Sequence, residues 1–195
     1  MILVVDMNWK RDSLAFNEFV LPIVSVVQPL EECKVKHFLD LDPAGLNGYS
    51  KIVLSGTALK DHATLKQVDK FNWVKTCDKP ILGICAGMQT ISLVFDEPLM
   101  NCLQIGMTEI TTLKENPLFQ GEFRAYALHN YSVEPSQNFE AIAKSSKCIQ
   151  AIKHTQKNIF GVLFHPEVRN QEILKNSYNQ TNNPAFKLVS ESERI

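Results

Sequence analysis

Long apolar runs are missing from this sequence. The longest, FVLPIVSVV from Phe19 to Val27, is interrupted by Pro22 and is about half the ~20 residues a membrane-spanning helix needs, so no transmembrane segment is expected. An excess of charge is missing as well: the formal net charge is −1, which leaves no basic footprint for nucleic acid. Paired cysteines are absent. Cys33, Cys77, Cys85, Cys102 and Cys148 are odd in number and contain no C-x-x-C pair, which argues against a disulfide frame or a zinc site and makes most of them buried thiols by expectation. The opening MILVVDMNWKR lacks the basic start, apolar stretch and small-residue cleavage site of a signal peptide, so the cytoplasm is the expected compartment. No internal repeat or low-complexity tract is present.

What remains is ordinary in composition and structured in pattern. With 195 residues, 45% hydrophobic and 21% charged, the chain suits one α/β domain, large enough to bury about 70% of the surface its unfolded form exposes. Four short β-rich runs occupy the first half: ILVVD (2–6), CKVKHFL (33–39), KIVLSG (51–56) and PILGIC (80–85). All but CKVKHFL are nearly continuous in apolar residues, as strands covered on both faces of a parallel sheet must be. Between the last two, Leu65, Val68, Phe71 and Val74 recur every three residues and predict a crossover helix; this βαβ alternation implies a doubly wound, mostly parallel sheet flanked by helices. From about residue 104, QIGMTEITTL, FRAYALHNYSV, FEAIAKS, CIQAIKH and IFGVLFHPE alternate in polarity between turn residues, the pattern of antiparallel hairpins extending the same sheet. VRNQEILKNSYNQ predicts one short helix. The domain is expected to span residues 1–178, and 179–195 to be a polar, loosely held tail.

One cysteine stands out by its position. In KPILGICAGMQTISLVF the apolar β run gives way to a helical pattern at Cys85, between Gly83 and Gly87. A strand that turns straight into a helix places the corner residue in strained dihedrals with its side chain projecting from the sheet end. At a helix N-terminus, free N–H groups and the macrodipole favour a thiolate. A buried apolar cysteine in a βα corner is the bland alternative. Further along, FHPE from Phe164 to Glu167 ends a β run, and the proline biases His165 toward extended conformation. Residues i and i+2 of an extended chain share a side, so the Glu167 carboxylate can orient the His165 ring and stabilise its imidazolium. Cys, His and acid together are what acyl transfer requires.

PILGICAGMQ with GVLFHPEV resembles the class I, triad-type glutamine amidotransferases, whose nucleophile sits in a G-x-C-x-G elbow and whose His and Glu come from an H-P-E motif. The resemblance runs from VVD at the first strand through KIVLSG to HPEV; with ENPLFQG (Glu115 to Gly121) it looks most like the amidotransferase subunits of GMP synthetases. It implies that Cys85 attacks the side-chain amide of glutamine, that His165 and Glu167 complete the triad, and that backbone N–H groups of Ala86 and of the turn at Gly56 and Thr57 hold the oxyanion. By the same resemblance Gln89 helps hold the α-amino and α-carboxyl groups of glutamine, and Asn130 and Tyr131 of LHNYSV close the pocket through backbone groups. No metal or cofactor is implied. The ammonia would pass to a separate synthetase, since no ATP-pyrophosphatase segment with a phosphate-binding SGGxDS motif lies in these residues.

The turn reads LSGTAL where the family usually carries SGGP, and LHNYS stands where GMP synthetases tend to have SHGD. A β-branched residue tolerates positive φ poorly, so the competence of the oxyanion site turns on the backbone at Thr57. Two other readings stay open: a partner-independent γ-glutamyl hydrolase, and a catalytically degenerate amidotransferase that serves as a binding module. His129 is read as a fourth catalytic group or as a partner-facing or structural histidine, and His37, His62 and His154, without supporting context, as surface residues.

Overall fold

The computed structural model describes residues 1–179. Apart from Asn179, the tail expected from 179 onward lies outside the described residues. The strands are β1 (Ile2–Asp6), β2 (Cys33–His37), β3 (Lys51–Leu54), β4 (Ile81–Ile84), β5 (Leu99–Thr112), β6 (Glu122–Val133), β7 (Phe139–Lys144), β8 (Ile149–His154) and β9 (Ile159–Val162). They form one nine-stranded sheet in the order β2-β1-β3-β4-β9-β8-β7-β5-β6. The first five in that order run parallel; β8, β7, β5 and β6 continue antiparallel.

Alternate residues of the parallel strands feed two cores. Ile2, Val4, Val53, Leu82 and Ile84 pack with Val20, Ile23, Val27, Ile173 and Leu174, which belong to α2 (Leu21–Val27), its entry residue and α5 (Glu172–Asn179). Leu3, Val5, Ile52, Leu54 and Ile81 pack with Phe71, Trp73, Val74, Met88 and Ile91 on the opposite face. Burial on both faces is why these strands read as unbroken apolar runs. The run around Pro22 is helical: α1 (Leu14–Phe19) hands over to α2, which tolerates the proline because it sits in the first turn, where its missing N–H costs no helical bond.

The predicted crossover helix takes a different form. Residues Val68–Phe71 form a 3₁₀ turn and Trp73–Thr76 a single α turn, α3. An apolar repeat of three matches the 3₁₀ period of 3.0 residues per turn better than the α period. The seam strand β9 also departs from a simple hairpin: it pairs antiparallel with β8 and parallel with β4. That parallel pairing is what builds the site, because it sets the C-terminal ends of β4 and β9 side by side, with Ile84 opposite Val162.

Candidate active site

Cys85 is the corner between β4 and α4 (Ala86–Val94), with φ 48° and ψ −102°. A non-glycine residue with positive φ is strained, and its neighbours hold it there: Cys85 N–H donates to the Val162 carbonyl at 2.8 Å, and its own carbonyl accepts from Gln89 N–H at 3.0 Å. The flanking glycines are spatial requirements. A Cβ on Gly83 would stand 2.6 Å from the Gly87 carbonyl carbon, and one on Gly87 would stand 2.5 Å from the Leu54 carbonyl oxygen. Without side chains at both positions, α4 settles directly onto β3 and β4. Ala86 opens the helix, so its N–H has no acceptor within the helix.

Three residues beyond Val162, the chain delivers His165. Its backbone N–H donates to the Tyr126 carbonyl at 2.8 Å, and its Nδ1 meets Glu167 Oε1 at 2.7 Å. Both side chains are buried, 1% and 0% exposed. The carboxylate fixes the proton on Nδ1, leaving Nε2 as the nitrogen free to exchange protons; Nε2 has no other protein partner among the described residues, nor has Glu167 Oε2. Burial pulls the imidazole's pKa down, but the charge of Glu167 and the charge and hydrogen-bonding reach of Cys85 outweigh it and hold the ring well above its ordinary value. Gly56 makes room for this ring, since a Cβ there would lie 2.6 Å from His165 Cε1.

The thiol of Cys85 donates to the Leu128 carbonyl at 3.4 Å. Cys85 is 4% exposed in a narrow cleft lined also by Thr57, Ala86, Gln89, Asn130 and Tyr131. Six of the predicted site residues line this cleft; the other three stand together, His165 paired with Glu167 and packed against Gly56. Thr57 is not among the positive-φ residues, so its β-branch carries no strain, and its hydroxyl donates to the Asp61 carbonyl at 3.2 Å. Gln89 is no surface residue: it is buried, and its Nε2 donates to the Tyr131 carbonyl at 2.9 Å. Asn130 Nδ2 donates to the Leu59 carbonyl at 2.6 Å, and the His62 and Tyr131 rings meet edge to face at 5.6 Å. These contacts close the cleft from above.

The structure corrects several sequence expectations. Cys85 is buried while Cys33, Cys77, Cys102 and Cys148 are half-buried, because the edge-strand, bulge and turn positions they occupy are only partly covered. His37 and His154 are buried, not on the surface. Each accepts turn N–H groups, His37 from Leu39 and His154 from Gln156 and Lys157, so burial costs them little. His62 lines the cleft. His129 also lines the cleft, held with its Nδ1 donating to the Cys102 carbonyl at 2.9 Å and its Nε2 facing Gln150, and burial pushes its pKa down to about 4. Asp61, His62 and Leu128 were missed as cleft residues; only the strand-end turn after KIVLSG hinted at the first two.

Residues 21–180 match the family Glutamine amidotransferase class-I. The chain belongs to this family. Among curated relatives of this amidotransferase, a glutamine-hydrolyzing GMP synthase subunit of Pyrococcus abyssi is 33% identical over 167 residues, covering 79% of this chain and 81% of the relative. The corresponding protein of Methanosphaera stadtmanae is 43% identical over 110 residues, 51% of this chain and 59% of that one. In Methanocaldococcus jannaschii the figures are 41% over 108 residues, 50% and 57%; the matched stretch therefore spans little more than half the length of these two. In fold, the chain is similar to a candidate GMP synthase subunit from Thermoplasma acidophilum (TM-score 0.80, 23% identity, covering 98% of this chain and 97% of that one). It also matches a glutamine amidotransferase from Thermotoga maritima (TM-score 0.64, 17% identity, 99% and 86%). No helix among the described residues is long and apolar enough to cross a membrane, and no group of three His, Cys, Asp or Glu among them is placed to hold a metal ion.

Proposed function

We propose that this amidotransferase is a glutaminase subunit that hydrolyses glutamine to glutamate and passes the ammonia to a separate synthetase, the synthetase of a GMP synthase. The observation that carries the reading is the buried His165–Glu167 pair at 2.7 Å set beside the strained Cys85 elbow, whose charge is felt at the imidazole. The names of the relatives, subunits of a glutamine-hydrolyzing GMP synthase, support the choice of acceptor.

The steps follow from the protons. Cys85 gives its proton to His165 Nε2, and the thiolate adds to the amide carbon of glutamine. The resulting oxyanion is met by the N–H of Ala86 and by an N–H of the Gly56–Thr57 turn; neither turn N–H has a protein acceptor among the described residues, and prepositioned donors of this kind are worth about 10²–10³ in rate each. His165 returns the proton to the amide nitrogen, ammonia departs, and a γ-glutamyl thioester remains on Cys85. Water then gives a proton to His165 as its oxygen adds to the thioester; collapse expels the thiolate and releases glutamate. Throughout, Glu167 holds the ring by Nδ1 and balances its positive charge. Gln89 and Asn130, now bonded across the cleft, exchange those partners for the amino-acid end of glutamine.

The test is glutamate release from glutamine by the purified chain, alone and with its synthetase. Turnover lost in Cys85→Ala with an unchanged circular dichroism spectrum supports the reading; wild-type-like turnover in that variant removes it.

A further inference from the structure

The two antiparallel hairpins of the sheet treat solvent differently. On β7–β8 the outer face is coated with charge: Glu140 stands opposite Lys153, pairs with it at 3.8 Å and takes Lys114 at 2.7 Å. On β5–β6 the outer face is aliphatic. Leu103 is 58% exposed, Ile105 60%, Met100 49% and Met107 38%, while the opposite face of the hairpin, Ile110, Ala125 and Ala127, is fully buried in the core. Exposed strands in soluble proteins normally carry charge on the solvent side, and this one carries none until Glu109 faces Arg124.

The aliphatic face abuts the active site. Ile105 stands opposite Leu128 and Met107 opposite Tyr126; these are the residues whose carbonyls accept from Cys85 and from His165 N–H. We infer that the outer face of the β5–β6 hairpin, centred on Leu103 and Ile105, is the docking surface for the synthetase that receives the ammonia. This inference rests on the glutaminase reading above and adds where the partner sits. Four half-exposed aliphatic side chains on this strand amount to roughly 300–400 Å² of apolar surface, about half of the ~800 Å² that each partner of a standard interface buries. An apolar centre with a polar rim, here Asn101, Glu109 and Arg124, is also how interfaces are composed. Ammonia released at Cys85 is lost to solvent unless the acceptor covers the cleft, and a partner covering the cleft from the β6 side lies on this face.

The experiment combines the purified chain with the separately purified synthetase of the same organism's GMP synthase, reading association by sedimentation velocity and calorimetry. Leu103→Asp and Ile105→Asp are each expected to weaken association at least tenfold and to abolish any synthetase-dependent gain in glutamine turnover, with partner-free turnover unchanged. Ile105→Val and Glu140→Ala keep wild-type association. Should an aspartate variant fail to fold by circular dichroism, Leu103→Ser with Ile105→Ser replaces it. Unchanged association in the folded variants overturns the docking face and leaves the glutaminase reading standing. A wild-type chain that hydrolyses glutamine yet never associates with the synthetase overturns both the acceptor assignment and the face. Self-association of the chain that Ile105→Asp abolishes gives the face to a second copy and overturns the proposal.

Discussion

The parallel and antiparallel halves of the sheet contribute different kinds of group to the site. From the parallel half come side chains: Cys85 at the end of β4, His165 and Glu167 just past β9, all buried and fixed by backbone bonds on strands with no exposed face. From the antiparallel half come main-chain carbonyls: Tyr126 receives His165 N–H, Leu128 receives the Cys85 thiol and Tyr131 receives Gln89. Any residue supplies a carbonyl. In the proposed mechanism the chemistry is tied to residue identity on the parallel side and chiefly to backbone position on the antiparallel side, the Asn130 side chain being the exception, and the two sides should respond to mutation accordingly.

Replacing the parallel-half side chains tests this most severely. Cys85→Ala and His165→Ala are expected to lower kcat/KM by about 10⁴-fold or more, as removal of either member of a nucleophile–base pair does; thermal melting stays near wild type in Cys85→Ala and falls in His165→Ala, which leaves the buried Glu167 carboxylate unpaired, and a loss of activity under tenfold would put the chemistry elsewhere. Next in size is Gly87→Ala, where the new Cβ meets the Leu54 carbonyl oxygen at 2.5 Å. Overpacking of backbone against backbone should destabilise by about 2–3 kcal/mol in urea denaturation, and a neutral result would mean that α4 can lift off β3 freely.

Glu167→Gln comes third, with an expected loss of about 10–10²-fold, since an orienter is worth less than the base it orients. Its pH profile is the sharper readout. His165 is held above its ordinary pKa of about 6.5 by Glu167 and Cys85 against burial. Its protonated form therefore stabilises the fold fully below that ordinary value and ceases to do so as pH rises through the raised folded value. In the proposed mechanism the same proton is delivered to ammonia, so activity is expected to fail on the same alkaline limb. Removing the Glu167 charge lowers the folded pKa and should shift that limb to lower pH; a limb that stays in place would mean the carboxylate does not set the imidazole's titration. Smallest are the cleft-closing contacts. Asn130→Ala, which cuts the bond to Leu59, should raise KM by about 3–10-fold with kcat within twofold, the signature of lost uniform binding.

The same asymmetry explains what the sequence disclosed. β1 is bounded at Ile2 and Asp6 as the apolar run implies, and the βα corner at Cys85 and the His165–Glu167 pairing were legible because each is encoded within a few positions of chain. Leu128, Asp61 and His62 were not. Asp61 and His62 follow the turn after β3, which marks a strand end but not a cleft, and the place of Leu128 depends on a contact with Cys85 43 residues away, which no local pattern encodes. The crossover segment misled for a local reason, since a three-residue apolar repeat serves a 3₁₀ turn as well as a short α-helix. His37 and His154 misled because a histidine that satisfies turn N–H groups leaves no signature in its neighbours.

Reaction with a γ-diazoketone analogue of glutamine, followed by peptide mass spectrometry, interrogates the sulfur itself. A single adduct on Cys85, prevented by excess glutamine and absent from Cys85→Ala, is the expected result, its rate falling as His165 is replaced by alanine. Labelling at Cys33, Cys77, Cys102 or Cys148 instead, or an unlabelled chain that still hydrolyses glutamine, would contradict the assignment.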